Sequence, residues 1–244
     1  MKTTDRITII PDVHGRPFWK EAVMDIGEVP AVFLGDYLDP YPEEKITKAD
    51  ALADFREILA LKEAHPDQVA LLLGNHDLHY ILTMMGGGRT DHERFESIRD
   101  LLVGNLDLFD MALEMESDDH RYLFTHAGVL KGWLERNDGL RYGDFPESVG
   151  ARMNYMLHDG TWMDMLLWAL CDTGPERGGL DPFGSPVWAD VREYDQDRYE
   201  LDGIFQVFSH TWMEEEVITP CWACLDCRRA FMLNTDTNLI ERKK

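Results

Sequence analysis

Leu71-Leu72-Leu73-Gly74-Asn75-His76-Asp77 is the stretch that decides how this chain folds. Three leucines stop at a glycine, and an amide, an imidazole and a carboxylate follow at once. A buried strand that delivers reactive groups at its C-terminal tip reads this way. Ile7-Thr8-Ile9-Ile10 runs in the same manner into Pro11-Asp12-Val13-His14-Gly15, and Ala31-Val32-Phe33-Leu34 into Gly35-Asp36-Tyr37-Leu38-Asp39. Further on, Tyr122-Leu123-Phe124-Thr125 leads to His126-Ala127-Gly128, and Ile204 to Ser209 leads to His210-Thr211. Core packing alone does not explain five apolar runs that each end in Asp, Asn or His.

Between the first three runs lie segments with helical character. Residues 16–26 read as a helix with Pro17 in the first turn, where proline is tolerated. Lys48 to Ala64 reads as an amphipathic helix, its apolar face set by Leu52, Phe55 and Leu59 and widened by Ala51, Ile58 and Leu61. The first third is therefore β-α-β-α-β, which favours parallel strands with right-handed crossovers. Leu78 to Met85 opens a further helix that Gly86-Gly87-Gly88 closes into a loop. Residues 95–103 and 107–115 read as short helices, as do 130–136, 149–157 and 162–171. Segments 216–219, 222–226 and 229–233 read as a closing β-meander. Residues 129–187 interrupt the strand series and read as a cap or insertion on the substrate side. The whole chain, 1–244, is taken as one domain.

Composition bounds the function. The net charge is −22, with no Lys/Arg-rich stretch. Displacing counterions from a duplex needs a basic face, so stable nucleic-acid binding is not expected. The same acidity repels an anionic substrate at long range, so a phosphate ester would need strong positive charge held locally, such as a pair of divalent metals. No apolar run reaches the roughly 20 residues that span a bilayer, and the N-terminal residues show no secretory pattern. A reduced, cytoplasmic setting is the expectation. Cys221, Cys224 and Cys227 form a C-x2-C-x2-C run, read as cysteines on a short strand in preference to a zinc or redox site, because period three does not put them on one strand face.

Asp12, His14, Asp36, Asn75, His126 and His210 offer two carboxylates, one amide oxygen and three imidazoles. This mixed set suits Mn, Fe, Zn or Co better than calcium or magnesium, which prefer oxygen alone. Six ligands exceed one tetrahedral site but fit two adjacent ions with a bridging carboxylate, an arrangement able to hold both attacking and departing oxygens at phosphorus. Asp-x-His is expected to place Asp12 and His14 on one side of an extended loop. His76 lies next to a ligand, and imidazole titrates near neutral pH, so it is the candidate general acid.

Taken together and in order, these motifs resemble the calcineurin-like metallophosphoesterases. Asn75 to His79, Val187-Trp188-Ala189-Asp190 and Leu225-Asp226 look most like the branch holding serine/threonine phosphoprotein phosphatases and bacterial diadenosine-tetraphosphate hydrolases. The resemblance implies an α/β fold of two mixed β-sheets packed as a sandwich and flanked by helices, and the position of residues 129–187 in the chain puts the helical insertion over the active site. It implies two divalent transition-metal ions, Mn foremost, with Fe, Zn, Co or Ni as alternatives. Asp12 and His14 would hold the first, Asp36 would bridge, and Asn75, His126 and His210 would hold the second. His76 would protonate the leaving oxygen, oriented by Asp39. Trp212 stands where many relatives outside this branch carry a further metal-binding His. Pro40 stands where phosphoprotein phosphatases carry a phosphate-binding Arg, and Arg16 and Arg192 are the candidate replacements. The expected activity is hydrolysis of a phosphomonoester, a phosphoprotein or small metabolite, by a hydroxide shared between the metals. The alternatives are a nucleotide pyrophosphohydrolase or phosphodiesterase and, in another class, a phosphoester-binding module without turnover.

Overall fold

The computed structural model describes residues 5–82, 88–117, 119–137, 146–194, 201 and 203–243. The chain divides into two compact units. One runs to Phe109 and resumes at Arg228, and the other is Asp110–Cys227.

The first unit is built on a six-stranded mixed sheet. Its centre is β1 (Arg6–Ile10), β2 (Ala31–Phe33) and β3 (Val69–Leu72), paired in parallel. All residues of β2 and β3 are buried, as an apolar run in a parallel sheet demands. Helix α1 (Phe18–Ala22) joins β1 to β2. It is shorter than the expected 16–26, because the chain continues to Val29 in tight turns (Ile26 N donates to Val23 O, Val29 N to Asp25 O) that return it to the sheet. Helix α2 (Lys48–Ala64) starts at a capping box in which the Thr47 hydroxyl accepts from Asp50 N and the Asp50 carboxylate accepts from Thr47 N. Its stripe of Ala51, Leu52, Phe55, Ile58 and Leu59 is buried, and Phe55 stacks on Tyr37 with ring centroids 5.1 Å apart.

Helix α3 (Asn75–Ile81) begins on the motif itself, three residues before the expected start. Gly86 and Gly87 of the expected loop lie outside the described residues. Helix α4 (Phe95–Gly104) matches its expectation. The expected helix over 107–115 does not form. A single 3-10 turn (Leu106–Leu108) leads into β4 (Phe109–Asp110) at the sheet edge and then β5 (Ala112–Glu116). Ala, Leu, Met and Glu favour helix, but Leu113 and Met115 also alternate with glutamates at the strand period, and strand pairing overrides the propensity.

The second unit carries a five-stranded mixed sheet in the order β5, β6 (Arg121–Thr125), β7 (Ile204–Phe208), β9 (Trp222–Cys224), β8 (Val217–Ile218). β6, β7 and β9 are parallel, and β5 and β8 are antiparallel at the two edges. Helices α5 (Lys131–Arg136), α6 (Val149–His158) and α7 (Met163–Leu170) fill the segment read as an insertion. α6 fixes the start of β5: the Asn154 side-chain oxygen accepts from Met111 N and Ala112 N, and its amide donates to Ala112 O.

The closing segments are not one meander. β8 and β9 pair in the second sheet, whereas β10 (Phe231–Asn234) returns to the first, where it lies antiparallel between β1 and β11 (Leu239–Arg242). The chain changes sheets at Cys227–Arg228, where Arg228 takes φ 61°. β11 is invisible in the sequence because Ile240 is its one buried residue. No helix among the described residues is long and apolar enough to cross a membrane.

The tip of β2 is the tightest point of the first unit. Gly35 has φ +105°, and a Cβ there would lie 2.5 Å from Gly74 N and 2.9 Å from Gly74 Cα. Gly35→Ala is expected to destabilise the protein by about 2–5 kcal/mol, from the left-handed backbone and the overpacking together. Gly27→Ala, with no atom within 4 Å of the added Cβ, serves as the control in denaturant unfolding.

Candidate metal centre

The loops after β1 and β2 are strapped to one another by backbone hydrogen bonds. Val13 N and His14 N both donate to Asp36 O, at 3.1 and 2.7 Å, and Gly15 N donates to Tyr37 O at 3.0 Å. The buried Asp77 carboxylate completes the clamp. It accepts from Gly74 N at 2.8 Å, Asp36 N at 2.8 Å and Tyr37 N at 3.1 Å. Burial and then the Asp36 charge push the Asp77 carboxyl upward, against the downward pull of those three donors.

The Asp-x-His segment is not extended, contrary to the sequence expectation. His14 has φ 46°, a left-handed conformation imposed by the two bonds to Asp36 O. Asp36 (φ 54°) and Asp39 (φ 58°) share that region. Residues with side chains are held there at a cost of order 1–3 kcal/mol each and cluster at functional sites.

This backbone brings Asp12, His14 and Asp36 together, with ligand-capable atoms within 4.8 Å of one another and all three side chains buried. His14 Nε2 lies 3.8 Å from Asp12 Oδ2 and 3.6 Å from Asp36 Oδ2. His14 Nδ1 donates to Leu38 O at 2.6 Å. A carbonyl can only accept, so the proton sits on Nδ1 and the Nε2 lone pair faces the carboxylates, the tautomer a metal ligand needs. Burial first, then His76 and Arg89, hold the imidazole well below its ordinary pKa and therefore neutral. Asn75, the first residue of α3, is buried, and His76 N donates to Asp36 Oδ1 at 2.8 Å.

Beside the triplet His76 and Asp39, the two residues that the resemblance pairs, lie in contact. His76 Nδ1 donates to Asp39 Oδ2 at 2.8 Å, which leaves Nε2 facing outward. Asp39 also accepts from the Tyr80 hydroxyl at 2.6 Å, and His79 Nε2 lies 3.2 Å from Asp39 Oδ2. Burial pushes the Asp39 carboxyl up, but the His76 and Tyr80 bonds outweigh it and hold it below its ordinary value. Tyr80 is thus a support of Asp39, and His79, left without a role by the sequence, packs against it.

In the second unit His126 and His210 come together. His126 Nε2 lies 3.1 Å from His210 Nδ1, and both residues are buried. Their loops are tied by Ser209 N donating to His126 O at 2.8 Å, and His210 has φ 65°. The two candidate arginines are engaged by carboxylates. Arg16 Nε is 2.9 Å from both Glu44 oxygens, and its Nη1 donates to Asp12 O. Arg192 is 60 % exposed and pairs with Asp190 and Glu176.

Sequence reading missed Arg89. Its Nε donates to Asp39 O at 2.9 Å, and its Nη2 lies 3.3 Å from His14 Nε2 and 3.2 Å from His76 Nε2. The guanidinium stacks over Tyr41, 3.8 Å from the ring centroid. No local signal marks it, because it reaches the site from beyond the glycine run.

Residues 5–212 match the family model described as calcineurin-like phosphoesterase. The chain belongs to the calcineurin-like phosphoesterase family. It is 28% identical over 185 residues to the PP2A-like serine/threonine-protein phosphatase PPG1 of Candida albicans, a match covering 73% of this chain and 40% of that protein. It is 36% identical over 81 residues to a symmetrical bis(5'-nucleosyl)-tetraphosphatase of Chromobacterium violaceum, covering 32% of this chain and 28% of that one. The aligned stretches thus span less than half of either curated relative. Both relatives fall in the branch the motifs resemble. Among solved structures, a cold-active protein tyrosine phosphatase superposes with a TM-score of 0.58 at 16% identity, over 97% of this chain and 78% of that one, a likeness of fold.

Burial pushes the pKa of His79 down from 6.5 to about 4, the Asp39 charge offsetting it only in part. The folded protein therefore resists protonating His79, while the unfolded chain takes up the proton near pH 6.5. As pH falls from about 6.5 to about 4 the unfolded state binds more protons and stability drops. His79→Gln should make the fall of unfolding free energy across that window shallower by up to one proton, about 1.4 kcal/mol per pH unit, as read from urea titrations at a series of pH values.

Proposed function

We propose that the chain is a dimetal-dependent phosphoesterase that hydrolyses a phosphomonoester, a phosphoprotein or a small metabolite. The observation that carries this reading is the buried Asp12–His14–Asp36 triplet, its imidazole fixed with a lone pair toward two carboxylates, beside an imidazole held by a carboxylate. The donor set suits two divalent transition-metal ions, Mn foremost. Asp12 and His14 would hold one, Asp36 would bridge, and Asn75, His126 and His210 would hold the other. Bound there, two ions would polarise the phosphoryl oxygens and lower the pKa of a water.

This chain's own residues supply the rest. Leu38 O keeps the His14 proton on Nδ1. Asp39 holds the His76 ring by Nδ1, so that Nε2 is the atom that carries a proton to the leaving oxygen. Tyr80 holds Asp39 in turn. A second reading, hydrolysis of a nucleotide pyrophosphate bond, is supported by the 36% identity to the tetraphosphatase. The four free thiols are in keeping with a reducing, cytoplasmic setting.

Elemental analysis of the purified protein is expected to find about two transition-metal ions per chain, with turnover of p-nitrophenyl phosphate. Absence of metal together with absence of turnover after Mn addition would overturn the reading. His76→Ala should retain metal and lower kcat by roughly 10²–10⁴-fold, the usual size for general acid catalysis. Asp36→Asn should lose metal from both positions together, and a variant still holding two ions would remove the bridging role.

A further inference from the structure

Three guanidinium groups face the ring of Tyr41: Arg89 at 3.8 Å from its centroid, Arg16 at 5.3 Å and Arg228 at 5.5 Å. Arg16 and Arg228 both pair with the Glu44 carboxylate, at 2.9 and 3.0 Å. Arg89 differs. Its partners are the Asp39 carbonyl, the Tyr41 face and the Nε2 nitrogens of two imidazoles. In a chain with 46 acidic and 24 basic side chains, Arg89 has no carboxylate partner among the described residues.

Its position is fixed from behind. Lys48 Nζ donates to Thr90 O at 2.8 Å, and Asp91 N donates to the Tyr80 hydroxyl at 2.8 Å. The stacking on Tyr41 orients the plane of the fork without using its donors. Nη2 then points at His14 Nε2, the candidate metal-binding atom, and at His76 Nε2, the candidate proton-carrying atom. Both contacts use imidazole lone pairs. An ion on His14 would take its lone pair away, and the guanidinium would then be repelled from that site unless an anion lay between. A phosphoryl group is such an anion, and its oxygens match the guanidinium fork.

We propose that Arg89, carried on the Tyr41 ring, is the side chain that takes the non-reacting oxygens of the substrate's phosphoryl group. This rests on the phosphoesterase reading and assigns its anion-binding group to a residue outside the family motifs. The same geometry makes Arg89 exchange partners during the cycle, from the two imidazoles to the phosphoryl oxygens and back.

The test is titration of metal-loaded protein with inorganic phosphate, followed by heat, alongside metal analysis and thermal melts of each variant. Arg89→Ala is expected to bind phosphate about 10–100-fold more weakly with metal content unchanged, the usual size for hydrogen bonds to a charged group. Arg89→Lys should recover only part of the loss, because a point charge cannot present the fork. For p-nitrophenyl phosphate, KM should rise in Arg89→Ala. If Arg89→Ala binds phosphate with unaltered affinity at full metal content, the proposal is wrong while the phosphoesterase reading stands. Unaltered protein that binds phosphate but turns over no ester would sink the hydrolase reading, and the Arg89→Ala titration would still decide the role of Arg89. Unaltered protein that binds no phosphate would overturn both.

Discussion

A single buried carboxylate organises the first unit. Asp77 accepts hydrogen bonds from Gly74 N, Asp36 N and Tyr37 N, and so joins the loop after β2 to the loop after β3. Each of those amides is buried where no strand ladder continues to satisfy it, and a buried amide without an acceptor costs about 1–3 kcal/mol. Removing the carboxylate would therefore release three donors at once and uncouple the two loops that carry Asp36, Asp39, Asn75 and His76. The approach of Gly35 to Gly74 is the steric counterpart of the same clamp, because the loops can share one carboxylate only if their backbones nearly touch.

The clamp explains why the site tolerates left-handed backbone. His14, Asp36 and Asp39 all have positive φ without being glycine, and each is over-determined by its neighbours. His14 N and Val13 N share Asp36 O, Asp36 N is held by Asp77, and Asp39 is gripped through its side chain by His76 and Tyr80. The left-handed backbone goes with His14 and Asp36 facing one cluster with Asp12, and Asp39 facing His76 and His79 in another, placements that extended loops, with side chains alternating between two sides, would not give. Local stability is thus converted into convergence of ligand-capable side chains.

The chemistry-bearing residues were largely legible because each follows an apolar run that the parallel sheet buries. The end of such a strand is where a polar residue can no longer be core, so Asp12, Asp36 and Asn75 announce themselves. Asp39 as the partner of His76 came through the family resemblance and not through spacing. Conformation was not legible. Nothing in Asp-Val-His marks the left-handed His14, and nothing in residues 107–115 separates helix from edge strand, since Leu and Met at alternate positions serve both periods. The switch of β10 back to the first sheet depends on a partner more than two hundred residues away along the chain. Asp77 did carry a signal, as a carboxylate three residues after a helix-starting glycine, and its further reach to the other loop is a tertiary fact. Arg89 carried none.

The excess of acidic groups gives the last step its logic. A protein of net charge −22 repels a phosphate ester until the ester is close, so affinity must be concentrated in a small volume. Part of its positive charge goes to pairing with carboxylates, as Glu44 shows by holding both Arg16 and Arg228. What remains for an anion is the charge that metal ligands would import and a guanidinium satisfied by imidazole lone pairs. Those lone pairs are also where an ion or a catalytic proton would bind. The arginine is therefore left with its interim partners only while the site is idle, and loading the site for chemistry is the event that turns it toward substrate.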